Sequence, residues 1–317
     1  MPDPLVPELA QRVADLVRNM IAEVRPKLIE AAVSGNRGES RNLRHADNFL
    51  SVHDIWMHRR YRELLSEVFS SFVYASEEAE PQVVGDDPDP DLCILVDPLD
   101  TSELAVRGLH GYTHVLVYSR ALARPVVSVV GDIFHHLQLY VAARGDDGTD
   151  RAHLVTADSE CYPLRPAPPA ALPESLITSY LMRPVDRFVP LARQERLIQA
   201  LGEPAADGRN RGRIGVDFGS IGLCHVAAGL TDAMIEFAKG FAIWDLAPGH
   251  YILHAAGGVV VDLNGAPLPL DYRLDSVPDI ARAMNGRQKF VAASSAALAR
   301  ELLATLDVQP SVPDGNC

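Results

Sequence analysis

Apolar residues recur at intervals of three and four through the first part of the chain: Leu9, Val13, Leu16, Val17, Met20, Ile21, Val24 and Leu28. This spacing predicts one buried face of a long helix over residues 4–33, with Pro26 placed to kink or end it. Residues 34–44 are polar and contain glycine, which reads as a loop. A second helix is predicted from Ser51, with Ile55, Tyr61, Leu64, Leu65, Val68, Phe69 and Phe72 as its buried stripe. Ser51 followed three residues later by Asp54 reads as a capping box, which satisfies free amides at a helix start.

The pattern then shifts to short apolar runs at residues 72–75, 93–96, 114–118, 126–130 and 137–142, which predict strands of a sheet. Between the first two runs lies an acidic stretch, residues 76–91, whose second half carries Pro81, Pro88 and Pro90 and reads as a loop. Residues 146–173 are rich in aspartate, proline and alanine, and the subdomain boundary is placed there. The expected organisation is two tightly joined subdomains, residues 1–150 and 151–317.

Beyond the boundary the elements alternate. Strands are predicted at 175–180, 214–218, 233–237, 259–262 and 290–293. Helices are predicted at 189–201, 220–228, 244–256 (stopped by Gly257-Gly258) and 296–306. Alternation of this kind indicates an α/β or α+β layer arrangement.

Hydrophobic residues make up 47% of the 317, ample for cores in both halves. The formal net charge of -13 disfavours a general nucleic-acid binder, because a nucleic-acid backbone is itself anionic. It does not exclude an anionic substrate, since clustered carboxylates can hold divalent cations that attract phosphate. Cys93, Cys161, Cys224 and Cys317 show neither paired nor zinc-like spacing and read as free thiols of a cytoplasmic protein. No basic region followed by an apolar run opens the chain, and no stretch reaches the ~18 apolar residues of a membrane span.

Asp97-Pro98-Leu99-Asp100 follows directly on a predicted buried strand. Two carboxylates three positions apart, at the carboxyl end of a strand, can converge on one point; alone, Asp-Pro is also a common turn former. Glu77 ends another predicted strand, where it is equally read as part of a solvated acidic run. Asp245, after Trp244, falls near the first turn of a helix, where an aspartate also complements the helix dipole.

Their combination and order are distinctive. An acidic signal, a strand, D-P-L-D, and then W-D-x-x-x-G with a trailing A-G-G resemble the inositol monophosphatase superfamily, which includes fructose-1,6-bisphosphatases, histidinol-phosphate phosphatases of the same fold and 3'-phosphoadenosine phosphatases. Residues 48–54, Ser76-Glu77-Glu78, Gly219-Ser220 and residues 252–258 resemble further segments of that superfamily. The resemblance implies a layered αβαβα sandwich of the sugar-phosphatase type and a magnesium-dependent phosphomonoesterase acting on a small phosphorylated metabolite, without membrane or nucleic-acid partners. A homodimer is compatible with it.

Carried over residue by residue, it implies that Glu77, Asp97, the Leu99 carbonyl and the Ser102 hydroxyl hold one Mg2+, and that Asp97, Asp100 and Asp245 hold a second. A third, weaker ion would sit near Glu77. Asp54 would pair with Ser102 and help polarise the attacking water, and backbone amides at Thr101 and Ser102 would face the phosphate. Magnesium's preference for oxygen ligands, and the ability of paired ions to stabilise attacking and leaving oxygens, support this set. Gly219, Ser220, Glu236 and Asp245 would contribute to substrate binding.

Four departures stand out. Thr101 occupies a place where the superfamily has glycine, so it either adopts a tolerable angle or alters the phosphate cradle. Glu103 is either an outward loop residue or a contact to a substrate hydroxyl or amine. Ala255 stands where a glutamate is usual, and Pro248 is expected in the first turn of its helix. His110, His114, His135 and His136 are not read as metal ligands, because magnesium disfavours imidazole. A degenerate relative that binds a phosphorylated ligand or a protein partner without turnover is the alternative.

Overall fold

The computed structural model describes residues 7–40 and 48–307. The predicted helix residues 4–6, loop residues 41–44 and Cys317 lie outside them. The first helix, α1 (Glu8–Ser34), ends at Gly35 in the left-handed conformation, φ 72°. Pro26 does not end it. The face it belongs to, with Val24, Leu28 and Ala31, stays buried on both sides of the proline, and that packing outweighs one lost backbone bond. A two-residue pair, β1 (Glu39–Ser40) with β2 (Leu50–Ser51), leads into α2 (Val52–Val68). Its capping box is formed as predicted: Ser51 accepts from the His53 amide at 3.2 Å, and Asp54 accepts from the Ser51 amide at 2.7 Å.

Eight strands then build the first sheet: β3 (Ser71–Ser76), β4 (Gln82–Gly85), β5 (Leu92–Asp100), β6 (Tyr112–Ser119), β7 (Arg124–Asp132), β8 (Leu137–Arg144), β9 (Asp150–Thr156) and β10 (Cys161–Pro163). Their order is β10-β9-β8-β7-β6-β5-β3-β4, antiparallel except for the parallel β3–β5 pair. A four-residue helix, α3 (Ser102–Ala105), follows β5 directly. The stretch read as a loop contains β4, an edge strand paired with β3. Strands β9 and β10 also belong to this sheet, so the chain leaves it after Pro163, within the 146–173 segment but later than residue 150.

The second sheet has five strands, β11 (Leu176–Ser179), β12 (Arg213–Val216), β13 (Ala233–Phe241), β14 (Val259–Val261) and β15 (Gln288–Ala293), in the order β12-β11-β13-β15-β14. Helices α4 (Val189–Ala192), α5 (Glu195–Gly202), α6 (Gly219–Ala227), α7 (Ile243–Ala256), α8 (Val277–Asn285) and α9 (Ala296–Thr305) complete the chain. The single helix predicted over 189–201 is divided, because Gln194 leaves helical angles and its side chain accepts from the Asp307 amide at 2.7 Å. Helix α8 was not predicted, although Ser276 and Asp279 form its start signal: Ser276 accepts from the Asp279 amide.

Five layers result. Helices α1 and α2 cover one face of the first sheet, α6 and α7 lie between the sheets, and α5 and α9 cover the far face of the second. Period-two alternation decides which core each strand residue joins. Ile94 and Val96 of β5 face α1 and α2, whereas Cys93 and Leu95 face the central helices. In β15, Phe290 and Ala292 face the centre, and Val291 and Ala293 face α9. Cys93 and Cys224 are buried thiols. Among the described residues no helix is long and apolar enough to cross a membrane.

The two central helices meet at a glycine. A Cβ on Gly249 of α7 would stand 2.4 Å from the Ser220 carbonyl oxygen and 2.9 Å from Leu223 Cβ, both on α6. Gly249→Ala is expected to force these helices apart and lower unfolding stability by about 1–3 kcal/mol. Urea unfolding of the variant against the native chain measures the loss.

Candidate active site

The parallel pairing of β3 with β5 puts their carboxyl ends side by side, and the Glu77 amide donates to the Val96 carbonyl at 3.2 Å. Glu77 and Asp97 therefore leave adjacent strands together. Asp97 continues the Cys93–Leu95 face of β5, so its side chain turns towards the central helices and is 1% exposed. Pro98 has no amide to donate, and the pairing of β5 with β6 is irregular between Asp97 and Asp100. That irregularity lets Asp100 join the same pocket. Asp245 reaches it from the first turn of α7.

These carboxylates line one cavity of about 380 Å³, together with Glu78, Leu99, Thr101, Ser102, Glu103 and Gly219. Both oxygens of Asp97 and Oδ2 of Asp100 are buried without a hydrogen-bond partner among the described residues. Burial, and then the charge of neighbouring carboxylates, push the Glu77, Asp97 and Asp100 carboxyls well above the usual range. Burial raises Asp245 as well, opposed by Arg287 and Arg187; Arg287 Nη1 stands 3.7 Å from Asp245 Oδ2. Unpartnered anionic oxygens at this depth call for a countercharge.

The donor set fits a hard divalent cation. Octahedral ligands held about 2.1 Å from one Mg2+ stand about 3 Å apart, and the Leu99 carbonyl oxygen and Ser102 Oγ are 2.8 Å apart. Ser102 Oγ also donates to Asp54 Oδ1. Asp54 is buried, and its other oxygen accepts from the Ser51 amide and hydroxyl at 2.7 and 2.6 Å. Burial raises the Asp54 carboxyl while the Ser102 and Ser51 hydrogen bonds pull it down. The capping box of α2 thus positions the carboxylate that orients Ser102.

Thr101 lies in the left-handed region, φ 59° and ψ 39°, where a β-branched residue is strained. The glycine-like backbone turn is therefore kept despite the side chain. Gly219, at the start of α6 with φ 31°, is required by space: a Cβ there would stand 2.1 Å from Asp100 Oδ2. Glu103 lines the cavity and pairs with the exposed Arg107 at 3.0 Å.

Two residues expected to bind substrate do not line the cavity. Glu236 is buried in an ion pair with Arg187, and its Oε1 accepts amides of Ala238, Lys239 and Gly240 at 3.0–3.2 Å. The longer β13 folds its tip onto this carboxylate, which uses up its acceptors. Ser220 is fully buried, donating to the Asp245 carbonyl at 2.7 Å and accepting from the Gly249 amide at 3.0 Å. It anchors α7 behind Asp245.

Pro248 is the sixth residue of α7, beyond the first turn, so the expected placement is corrected. Lacking an amide, it leaves the Trp244 carbonyl without its helical donor. His114 Nδ1 lies 3.3 Å from that carbonyl oxygen and replaces the missing donor. The proline is tolerated at depth because a side chain from β6 repairs the ladder.

Sequence reasoning missed the opposite wall. Tyr180, Arg183, Arg187, Lys239 and Arg287 all line the cavity. The Arg187 guanidinium lies 4.3 Å from the Tyr180 ring centroid, and burial lowers its pKa to about 10. Arg183 donates to Asn48 at 2.8 Å, and Lys239 stands 3.5 Å from Asp186. No local pattern marks these residues, which come from three separate stretches between β11 and β15. None of His110, His114, His135 and His136 lines the cavity. His114 is buried against Asp97 and Asp100.

The chain belongs to the inositol monophosphatase family, whose model matches residues 7–306. It is similar to the Nus factor SuhB of Pasteurella multocida, 31% identical over 177 residues, an alignment that spans 56% of this chain and 59% of that relative. It is also similar to the inositol-1-monophosphatase ImpA of Mycolicibacterium smegmatis, 28% identical over 80% of this chain and 84% of that one. Among solved structures, the extragenic suppressor protein SuhB of Bartonella henselae superposes with a TM-score of 0.64 at 20% identity, covering 91% of this chain and 97% of that one, which shows the fold.

Thr101→Gly is expected to relieve the left-handed strain and raise stability by about 1 kcal/mol, whereas Thr101→Ala is not; denaturant midpoints compare them. A second expectation concerns pH. Carboxyls raised by folding contribute stability only below their unfolded pKa values and lose it as pH rises through the raised ones. The rise in Tm caused by adding a divalent cation to chelated protein is therefore expected to grow from pH 5 to pH 8. Thermal scans with and without chelator measure it.

Proposed function

We propose that the chain is a Mg2+-dependent phosphomonoesterase that releases inorganic phosphate from a small polyol, sugar, cyclitol or nucleoside phosphate. The observation that carries this reading is the convergence of Glu77, Asp97, Asp100 and Asp245 with buried oxygens left unpartnered. Glu77, Asp97, the Leu99 carbonyl and Ser102 would hold one ion, and Asp97, Asp100 and Asp245 a second. Bound there, the ions supply an activated water and charge for the departing oxygen. Asp54 holds the Ser102 hydroxyl in place, and Glu77 lines the same cavity as a carboxylate able to take a proton. Thr101 and Ser102 amides would face the phosphate, and Gly219 leaves room for Asp100 beneath it.

The cationic wall supports a narrower substrate class. With Glu236 committed to Arg187, the wall opposite the carboxylates presents guanidinium and ammonium donors, and the acceptors of the cavity lie on its acidic side. A phosphorylated metabolite carrying a second anionic group matches that wall.

A panel of sugar, cyclitol, amino-alcohol and nucleoside phosphates, assayed with and without Mg2+, tests the activity. Release is expected only with Mg2+, and Asp97→Asn is expected to lower kcat/KM at least ~100-fold. The carboxylate-bearing 3-phosphoglycerate is expected to outperform glycerol 3-phosphate, and Arg183→Ala to narrow that ratio about 10-fold. No Mg2+-dependent release from any member would sink the reading. One observation favours a binding protein without turnover, namely the strained Thr101 in the phosphate loop. Calorimetric ligand binding with no hydrolysis, unaltered in Asp97→Asn, would establish that instead.

A further inference from the structure

His114 is fully buried on β6, directly across the sheet from Asp97. One ring nitrogen, Nδ1, lies 3.3 Å from the Trp244 carbonyl oxygen and 3.8 Å from Asp97 Oδ2. A carbonyl can only accept, so Nδ1 carries the proton. The opposite assignment would set an imidazole lone pair against two oxygen acceptors. With the proton on Nδ1, the neutral ring presents a lone pair at Nε2.

That lone pair points at another acceptor. Nε2 stands 3.5 Å from Asp100 Oδ2, and both atoms are buried with no hydrogen-bond partner among the described residues. Two buried acceptors facing each other repel unless something positive lies between them. Atoms bound about 2.1 Å from one ion stand about 3.0–3.4 Å apart in octahedral or tetrahedral geometry. One ligand atom from each of Asp97, Asp100 and His114 can be chosen so that all lie within 4.8 Å of one another. The Nδ1–H bond to a main-chain carbonyl is also the contact that orients metal-ligating histidines.

We propose that His114 Nε2 is a nitrogen ligand to the divalent cation held by Asp97 and Asp100, so that this position takes a borderline transition ion, Mn2+ or Zn2+, rather than Mg2+. The inference rests on the cation-dependent reading of the site and changes its second position. Imidazole suits manganese and zinc better than magnesium, and a mixed nitrogen and oxygen set selects accordingly. The link to α7 gives the position its rigidity. Pro248 has no amide to offer the Trp244 carbonyl, the His114 ring lies against that carbonyl, and the ring presents Nε2 to Asp100.

Pulsed electron paramagnetic resonance of the intact protein loaded with Mn2+ alone tests the bond without requiring turnover. Coupling to a directly bound nitrogen is expected in the native chain and is expected to vanish in His114→Gln. Calorimetry is expected to show Zn2+ affinity falling at least ~10-fold in His114→Gln and His114→Asn, with Mg2+ affinity changing less than ~3-fold. Mn2+ bound with no nitrogen coupling in the native chain overturns the inference while leaving the phosphatase reading standing. Equal losses for Zn2+ and Mg2+ do the same, and failure to bind any divalent ion overturns both. The native-chain spectrum decides the matter even if both variants fold poorly.

Discussion

Negative charge buried without a partner is the constraint around which this molecule is organised. Asp97 and Asp100 leave one strand, Glu77 leaves its neighbour and Asp245 arrives on a central helix, all into a space that water does not screen fully. Left alone, such carboxylates repel and would sooner bind protons. A divalent cation held there would remove that cost and tie stability to pH and metal together.

The architecture around the cluster keeps the charges from escaping. Asp54 is both the cap of α2 and the acceptor for Ser102, so a helix start and a loop share one carboxylate. Ser220 and His114 hold carbonyls of α7 on either side of Asp245. Gly219 and Gly249 are bare because Asp100 and α6 occupy the space a side chain would need. Asp54, Ser220 and Gly249 hold neighbouring elements in place and do not themselves line the cavity.

Across the cavity the chemistry changes sign. Arg187 is buried between aromatic rings and tied to Glu236, which turns a would-be hydroxyl contact into part of a cationic wall. Acid on the floor and base on the wall are the charge pattern behind the proposed doubly anionic substrate.

Most strands and helices and the acidic residues were legible in the sequence because they rest on local rules, whereas the five-layer arrangement entered as what the family resemblance implied. Period-two and period-3.6 patterning assigned most strands and helices, the Ser51–Asp54 spacing announced a cap, and D-P-L-D with W-D resembled a known set. The division of the predicted 189–201 helix, the burial of Glu236 and Ser220 and the depth of Pro248 were decided only in three dimensions. On sequence His114 is set aside because magnesium disfavours imidazole, and its contacts with the Trp244 carbonyl, Asp97 and Asp100 are visible only in the fold. Local pattern records which face of an element is buried. Whether a polar group on that face meets a partner, a like charge or an open cavity depends on residues far away in the chain, and only the packed structure brings those together.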